Sequence, residues 1–402
     1  MKKITLLLLL LSILLASKYS LGQKYNNAPN VFSLDAKTLA ANQQLISSSD
    51  EILMPAYKSL LKEADKALEF GPVSVMEKKN FPPSGNKHDY MSLAPYHWPD
   101  PTKANGLPYI RKDGQTNPEV KEYKDKEYMP QLCDKVYKLS LAYYFSGNKK
   151  YAEHATDLLR VWFLDTATRM NPNLNYGQAI KGVNTGRGAG MIDARHFIKV
   201  MDAVGLLNGS AALTEKDHTG MKSWFADFLT WMQSSKNGIH EKNAPNNHGA
   251  WYDALRLSIS LFVDNKGMAK KIIQNAQQRL DSQMDNDGRF PLEMARTTSL
   301  HYTVFVMNAF FNIAQMAQKS GVDFWNYKSP SGKSLKKGFD ELLPYLTKEK
   351  EWKGTQIKNF DFEEGFQILS LGYSKLGCIK CRDFIKNIDG EKSPRLLINL
   401  IY

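Results

Sequence analysis

The sequence predicts an all-α fold of about a dozen helices joined in hairpins. Three observations carry this. Apolar residues recur every three or four positions through successive segments, as in Trp251, Leu255, Ile259 and Phe262. Turn signals such as Gly147-Asn148 and Asp285-Asn286-Asp287-Gly288 separate the segments. No stretch reads as a convincing pair of strands. Helix pairs of this kind can stack in a solenoid or close into a toroid, with loops lining one end of the array. Polar interruptions near Asn175, Asn246 and Arg296 recur where such a face would fall. No short repeat of fixed period is visible, which argues against tetratricopeptide or ankyrin arrays.

In chain order, Met1-Lys2-Lys3-Ile4 and the leucine run to Leu15 have the basic start and short apolar core of a secretory signal peptide. Residues 1–22 are assigned to it. No Cys follows the run, so a lipid anchor is not expected, and no later stretch is apolar enough to cross a bilayer. The protein is therefore expected to be periplasmic or secreted, without membrane insertion. Residues 23–47 read as a flexible segment and 48–402 as one domain. Ile52, Met54, Leu60, Leu61, Ala64 and Leu68 mark a first helix or two, with Pro55 in the first turn.

From 71 to about 121 the composition changes to Pro, Gly, Tyr and Trp, a density of proline that no helix tolerates. Loops this long are functional or disordered, and the aromatics argue against disorder. The segment is expected to form a lid. Tyr96, His97, Trp98 and Tyr109 could stack on sugar rings, while Arg111 or Lys112 meets a carboxylate. The plainer alternative is a loop packing its aromatics over the end of a helical domain. Helices then follow at 127–145, 151–163, 191–207, 215–234, after His248, and at 267–284, 298–319, 335–346 and 360–376. A polar, Gly-rich interruption spans 171–190 and contains Arg187.

The formal charge is +12. A basic exported protein suits an acidic partner. Zinc-finger spacing, an RNP-like motif and a basic helix are all missing, so nucleic acid is not the expected partner. Polyanionic sugars fit better, although such charge can also serve only solubility. Cys378 and Cys381 form a C-x-x-C, and Cys133 lies far away. The close pair reads as a local disulfide in an oxidising compartment. A metal site would need further ligands nearby, and no P-loop, His-x-x-x-His or Gly-x-Gly-x-x-Gly signature is present. No cofactor or metal is expected.

Two clusters stand out. Asn246-Asn247-His248-Gly249 precedes a helical run that includes Trp251. Asn caps helices, and a helix start carries unpaired N–H groups that favour an anion. The ordinary alternative is an Asn cap beside a core His. The second cluster is Glu293, Arg296, His301 and Tyr302. An Arg beside a Tyr favours the phenolate and lowers its pKa. The ordinary alternative is a Glu293–Arg296 pair at i,i+3 with Tyr302 as a helix-face aromatic.

The string from Tyr90 to Pro101, the segment Gly106 to Gly114, Asn175-Tyr176-Gly177-Gln178, Asn184 to Gly188 and Asn246-Asn247-His248 resemble the alginate lyase family of polysaccharide lyases. The similarity runs roughly from Ser92 to Met316. It implies an incomplete (α/α) toroid and β-elimination on an acidic polysaccharide of 1,4-linked uronates, alginate or glucuronan-like. It further implies that Asn247 and His248 contact the uronate carboxylate, that Arg296 assists and that Tyr302 transfers protons.

The chemistry stands independently. H5 of a uronate is poorly acidic, so groups that hydrogen-bond or neutralise the adjacent carboxylate are needed where charge develops. A base takes H5 and an acid protonates the departing O4. The catalytic candidates are Tyr302 as base and acid, His248 as carboxylate neutraliser or second base, and Asn247 and Arg296 as enolate stabilisers. His301, Tyr96, Trp98, Arg111, Arg187, Trp251 and Asn246 are the candidate substrate contacts. Two other readings are open. A glycoside hydrolase would need a carboxylate pair, for which Asp253, Asp285, Glu293 and Glu363 are available. A binding protein for acidic glycans would not need Tyr302.

Overall fold

The computed structural model describes residues 28–387 and 393–402. The leader assigned to 1–22 lies outside them. Helices dominate, and the sequence boundaries hold closely where the apolar period is strong. They are α1 Ala36–Ser47, α2 Met54–Ala67, α3 Lys124–Ser146, α4 Lys149–Leu159, α5 Phe197–Leu206, α6 Glu215–Ser234 and α7 Lys236–Lys242. There follow α8 Asn247–Phe262, α9 Lys266–Gln283, α10 Pro291–Met294, α11 Ser299–Ala317, α12 Leu335–Leu346, α13 Phe366–Leu376, α14 Ile379–Asn387 and α15 Ser393–Ile401.

Consecutive helices pair as hairpins, α3 with α4 and α8 with α9, while α8 also packs on α11. The result is the helical toroid that the hairpin pattern allowed. One apolar core runs through it, from Val31 at the start to Ile401 at the end. It is rich in edge-to-face aromatic pairs around Phe163, Phe197, Trp224 and Phe225. Among the described residues, no helix is long and apolar enough to cross a membrane.

Two expectations fail. Residues 23–47 do not read as flexible throughout, because α1 fills 36–47. Asp35 caps it by accepting from Lys37 and Thr38 N–H groups. The preceding Val31, Phe32 and Leu34 are buried. The anchor is Asp202, which accepts from the Phe32 and Ser33 backbone and from the Ser33 hydroxyl. Its partners lie about 170 positions away in the chain, so no local pattern announced them.

Four short strands also form among the described residues. β1 Met91–Leu93 pairs in parallel with β4 Tyr176–Ala179, and β2 His97–Trp98 pairs antiparallel with β3 Ile110–Arg111. Strands of two to four residues carry too little alternation to be read from sequence. The β1–β4 pair ties the Pro-rich 71–121 connection to the Gly-rich 171–190 segment, and the β2–β3 pair folds that connection back on itself. Close approach explains the glycines there: Gly177 and Gly190 lie backbone to backbone, where a Cβ on Gly177 would meet the Gly190 carbonyl at 3.3 Å.

The reading of Cys378 and Cys381 as a local disulfide is met, and Cys133 is a buried free thiol. The bond staples the start of α14.

Candidate active site

One cavity of about 660 Å³ gathers residues from every segment that looked unusual in the sequence. The 71–121 connection supplies Tyr96, His97 and Arg111. The Gly-rich segment supplies Gln178 and Arg187. The α7–α8 junction supplies Asn246, Asn247 and His248, and the start of α11 supplies Arg296, His301 and Tyr302.

Asn246 is extended and caps α8, its side chain accepting from the His248 N–H at 3.3 Å. The N-terminal end of this helix was expected to attract an anion. The anion is Glu293 of the same chain, held by α10. It accepts from the Asn247 N–H at 2.6 Å and from the Asn247 carboxamide at 2.8 Å. Burial raises the Glu293 carboxyl above its usual range, against those two hydrogen bonds. The Glu293 carboxylate therefore forms no direct ion pair with the Arg296 guanidinium, although the two charges attract. The grip leaves the Asn247 carboxamide oxygen buried and without a partner.

His248 Nδ1 lies 2.6 Å from an oxygen of Glu241, a buried carboxylate on α7. A carboxylate can only accept, so the Nδ1–H tautomer is assigned, which leaves the Nε2 lone pair free.

Tyr302 contradicts the expected lowering of its pKa. Burial pushes the phenol well above its usual value, and the neighbouring Tyr96 adds to this. Arg296 pulls the other way but does not prevail. Its guanidinium stacks on the Tyr302 ring face, 3.6 Å from the centroid, rather than bonding to the hydroxyl. Its hydrogen bonds go to Asp113 of the long connection, at 2.7 to 3.2 Å. The Tyr302 hydroxyl instead donates to the Tyr96 hydroxyl at 2.9 Å. At neutral pH Tyr302 is a neutral phenol.

Asp113 also accepts from Arg111 at 2.7 Å and from the Thr297 N–H and hydroxyl. His301 Nδ1 lies 2.5 Å from Glu364. His97 is driven down to about 4 by burial and by the Arg187 and Arg111 charges, so its imidazole is neutral.

Two candidates are misplaced. Trp251 is 9% exposed and packs on Phe305 with centroids 5.0 Å apart, behind the cavity wall. It follows the α8 period into the core, as the apolar spacing itself implied. Trp98 lies outside the cavity lining. It bonds to the Gln115 carbonyl and sits under Lys112. The adjacent residues of a strand point to opposite faces, so His97 enters the cavity where Trp98 cannot.

Gln178, Arg195 and Glu241 line the cavity but were not among the candidate residues, and His97, named only with the lid aromatics, lines it too. Glu241 and Arg195 sit in ordinary helical pattern, and nothing local marks them. The four carboxylates offered for hydrolysis, Asp253, Asp285, Glu293 and Glu363, do not line it. Among the described residues no group of three His, Cys, Asp or Glu is arranged to hold a metal ion.

A phenol, a carboxylate-oriented imidazole and several guanidinium groups around one cavity suit proton transfer on an anionic sugar. Comparison with known proteins agrees, and defines the chain as a polysaccharide lyase. The alginate lyase family model matches residues 74–352, and the chain belongs to that family. An alginate lyase from Bacteroides ovatus is 41% identical over 92% of this chain and 99% of its own, with a TM-score of 0.87. Alginate lyase A1-III from Sphingomonas species A1 shares the fold at 14% identity, covering 87% of this chain and 96% of its own, with a TM-score of 0.53. A variant of A1-III complexed with a tetrasaccharide is also 14% identical, covering 94% and 98%, with a TM-score of 0.54. No match was found among curated proteins.

Proposed function

We propose that the protein cleaves 1,4-linked uronate polymers, alginate or a glucuronan-like chain, by β-elimination to unsaturated oligosaccharides. One observation carries the reading: the His248–Glu241 pair and the Tyr302–Tyr96 pair open onto the same cavity.

The roles follow from protonation. His248 Nε2, free to accept, takes H5. The C5–H electron pair forms the C4=C5 bond as the C4–O4 bond breaks. Tyr302, held neutral, gives its proton to the departing O4, and Tyr96 hands one on to Tyr302. Such acid–base assistance is worth roughly 10²–10⁴-fold. The Asn247 carboxamide, fixed by Glu293, and the cavity guanidiniums stabilise charge on the uronate carboxylate as H5 leaves. Each such preorganised donor contributes about 10²–10³-fold. This division gives Tyr302 the acid's part and His248 the base's, because a phenol with a raised pKa is a poor base.

The segment 71–121 acts as the lid in this reading, carrying Tyr96, His97 and Arg111 to the substrate. The basic leader-like start supports export to the periplasm or beyond. Incubation with alginate, glucuronan, pectate and glycosaminoglycans, followed by ultraviolet absorbance of the new double bond, tests the proposal. Absence of absorbing products from every uronate polymer overturns it. New reducing ends without absorbance would point to hydrolysis.

A further inference from the structure

Arg296 and Arg111, the two guanidiniums nearest the phenol and the lid, both bond to Asp113. Two other arginines line the cavity, Arg187 and Arg195. Among the described residues, no carboxylate forms an ion pair or hydrogen bond with either. Arg187 donates to the Gln178 backbone and side-chain oxygens. Arg195 donates to the Ile192 carbonyl at 3.0 Å and lies over the Phe305 ring at 5.3 Å.

The acids near Arg195 are engaged elsewhere. Asp193 is buried and accepts from Tyr90, Ser92, Gln178 and Lys126. Glu241 shares a wall with Arg195 but bonds to His248. Burial pulls the Arg195 guanidinium below its ordinary range, yet arginine stays charged in proteins. A half-buried charge without a counter-ion is costly to keep. Phe305 and the Ile192 carbonyl hold this one in place, and the half-buried Phe305 ring faces the cavity with it.

We propose that Arg195 receives a carboxylate of the acidic sugar chain, at a subsite against Phe305, while Arg187, the other cavity guanidinium without an acid, receives another. The inference rests on the acidic-polysaccharide reading above. Its consequence is specificity. Two unpaired guanidiniums in one cavity fit a chain with more than one acidic unit in succession. A polymer whose acidic sugars alternate with uncharged ones leaves one of them unfilled.

The test compares ligands as well as proteins. In the Tyr302→Phe background, calorimetry measures binding of a uronate tetrasaccharide and of its methyl ester. The Arg195→Gln exchange is expected to narrow the affinity gap between acid and ester by about tenfold or more, as loss of a charge-assisted bond does. Arg195→Lys keeps the charge but not the fork and should fall between. Thermal unfolding accompanies each variant, and if the Gln protein does not fold, the Lys protein supplies the comparison. Equal weakening of acid and ester would show a merely structural role and overturn the proposal. An unchanged gap would overturn it too. Failure of the lyase reading is seen separately, as a wild-type protein that yields no unsaturated product while the acid–ester comparison still reports on Arg195.

Discussion

The Tyr302 hydroxyl meets the Tyr96 hydroxyl at 2.9 Å, joining α11 to the Pro-rich connection across 206 positions of sequence. Burial, with this contact adding to it, keeps Tyr302 neutral, and Arg296 lies flat against its ring. In the proposed mechanism this phenol, so held, is the acid.

Tyr302→Phe keeps the ring and its stacking on Arg296 but removes the proton. Turnover on a uronate polymer should fall by roughly 10²–10⁴-fold, with KM little changed. Initial rates of ultraviolet absorbance, with thermal unfolding as a control, check this. A variant that turns over like the parent would remove Tyr302 from the chemistry.

Glu241→Gln should lower kcat by about a hundredfold or more, because an amide can donate to His248 Nδ1 and reverse the tautomer. The pH profile is the informative readout. If Glu241 only supports packing, kcat and its acid limb will match the parent.

Asp113 sets a dependence on acidity. Burial would raise its carboxyl, but hydrogen bonds from Arg296 and Arg111 hold it well below the usual range. A carboxyl depressed in the folded state stabilises the fold above the unfolded value, near 4. That stability is lost as pH falls through the lower, folded value. The melting temperature should therefore drop from pH 5 downward, and drop less steeply in Asp113→Asn. Parallel melting curves for the two proteins over that range would refute the assignment.

Trp98 and Trp251 separate ligand contact from packing. Trp98→Ala, outside the cavity, should leave kcat/KM within about twofold. Trp251→Ala removes a core ring and should cost about 3–5 kcal/mol of stability. A large KM effect in Trp98→Ala with unchanged melting would restore Trp98 as a substrate contact.

His301 is fixed through Nδ1 by Glu364 at 2.5 Å while its ring lines the cavity. His301→Ala should raise KM by about threefold to tenfold through loss of one hydrogen bond to an anion, leaving kcat nearly intact. Steady-state kinetics on a defined oligouronate will show whether kcat moves instead.

Helix positions were legible because burial repeats with the helical period. The α6 and α12 boundaries, 215–234 and 335–346, coincide with the expected ones. The Asn246 cap was legible because capping is a local event between neighbours. Nine of the eleven proposed site residues meet in one cavity, since polar and aromatic residues clustered in loops and at helix starts rarely serve packing. Trp98 and Trp251 failed because an aromatic looks the same in sequence whether it faces ligand or core.

The amino-acid order alone was enough for an all-α fold of paired helices and for the segments that carry the site, because period, capping and residue type act over a few neighbours. The toroid and the class of chemistry were what the resemblance to the alginate lyase family implied. Protonation and pairing came from folding. Arg296 bonds to Asp113, Glu293 to Asn247, and Glu241 orients His248, leaving Arg187 and Arg195 without acids of their own. These facts depend on which side chains meet across the toroid, and on how far burial outweighs a nearby charge. Neither quantity is local in the chain.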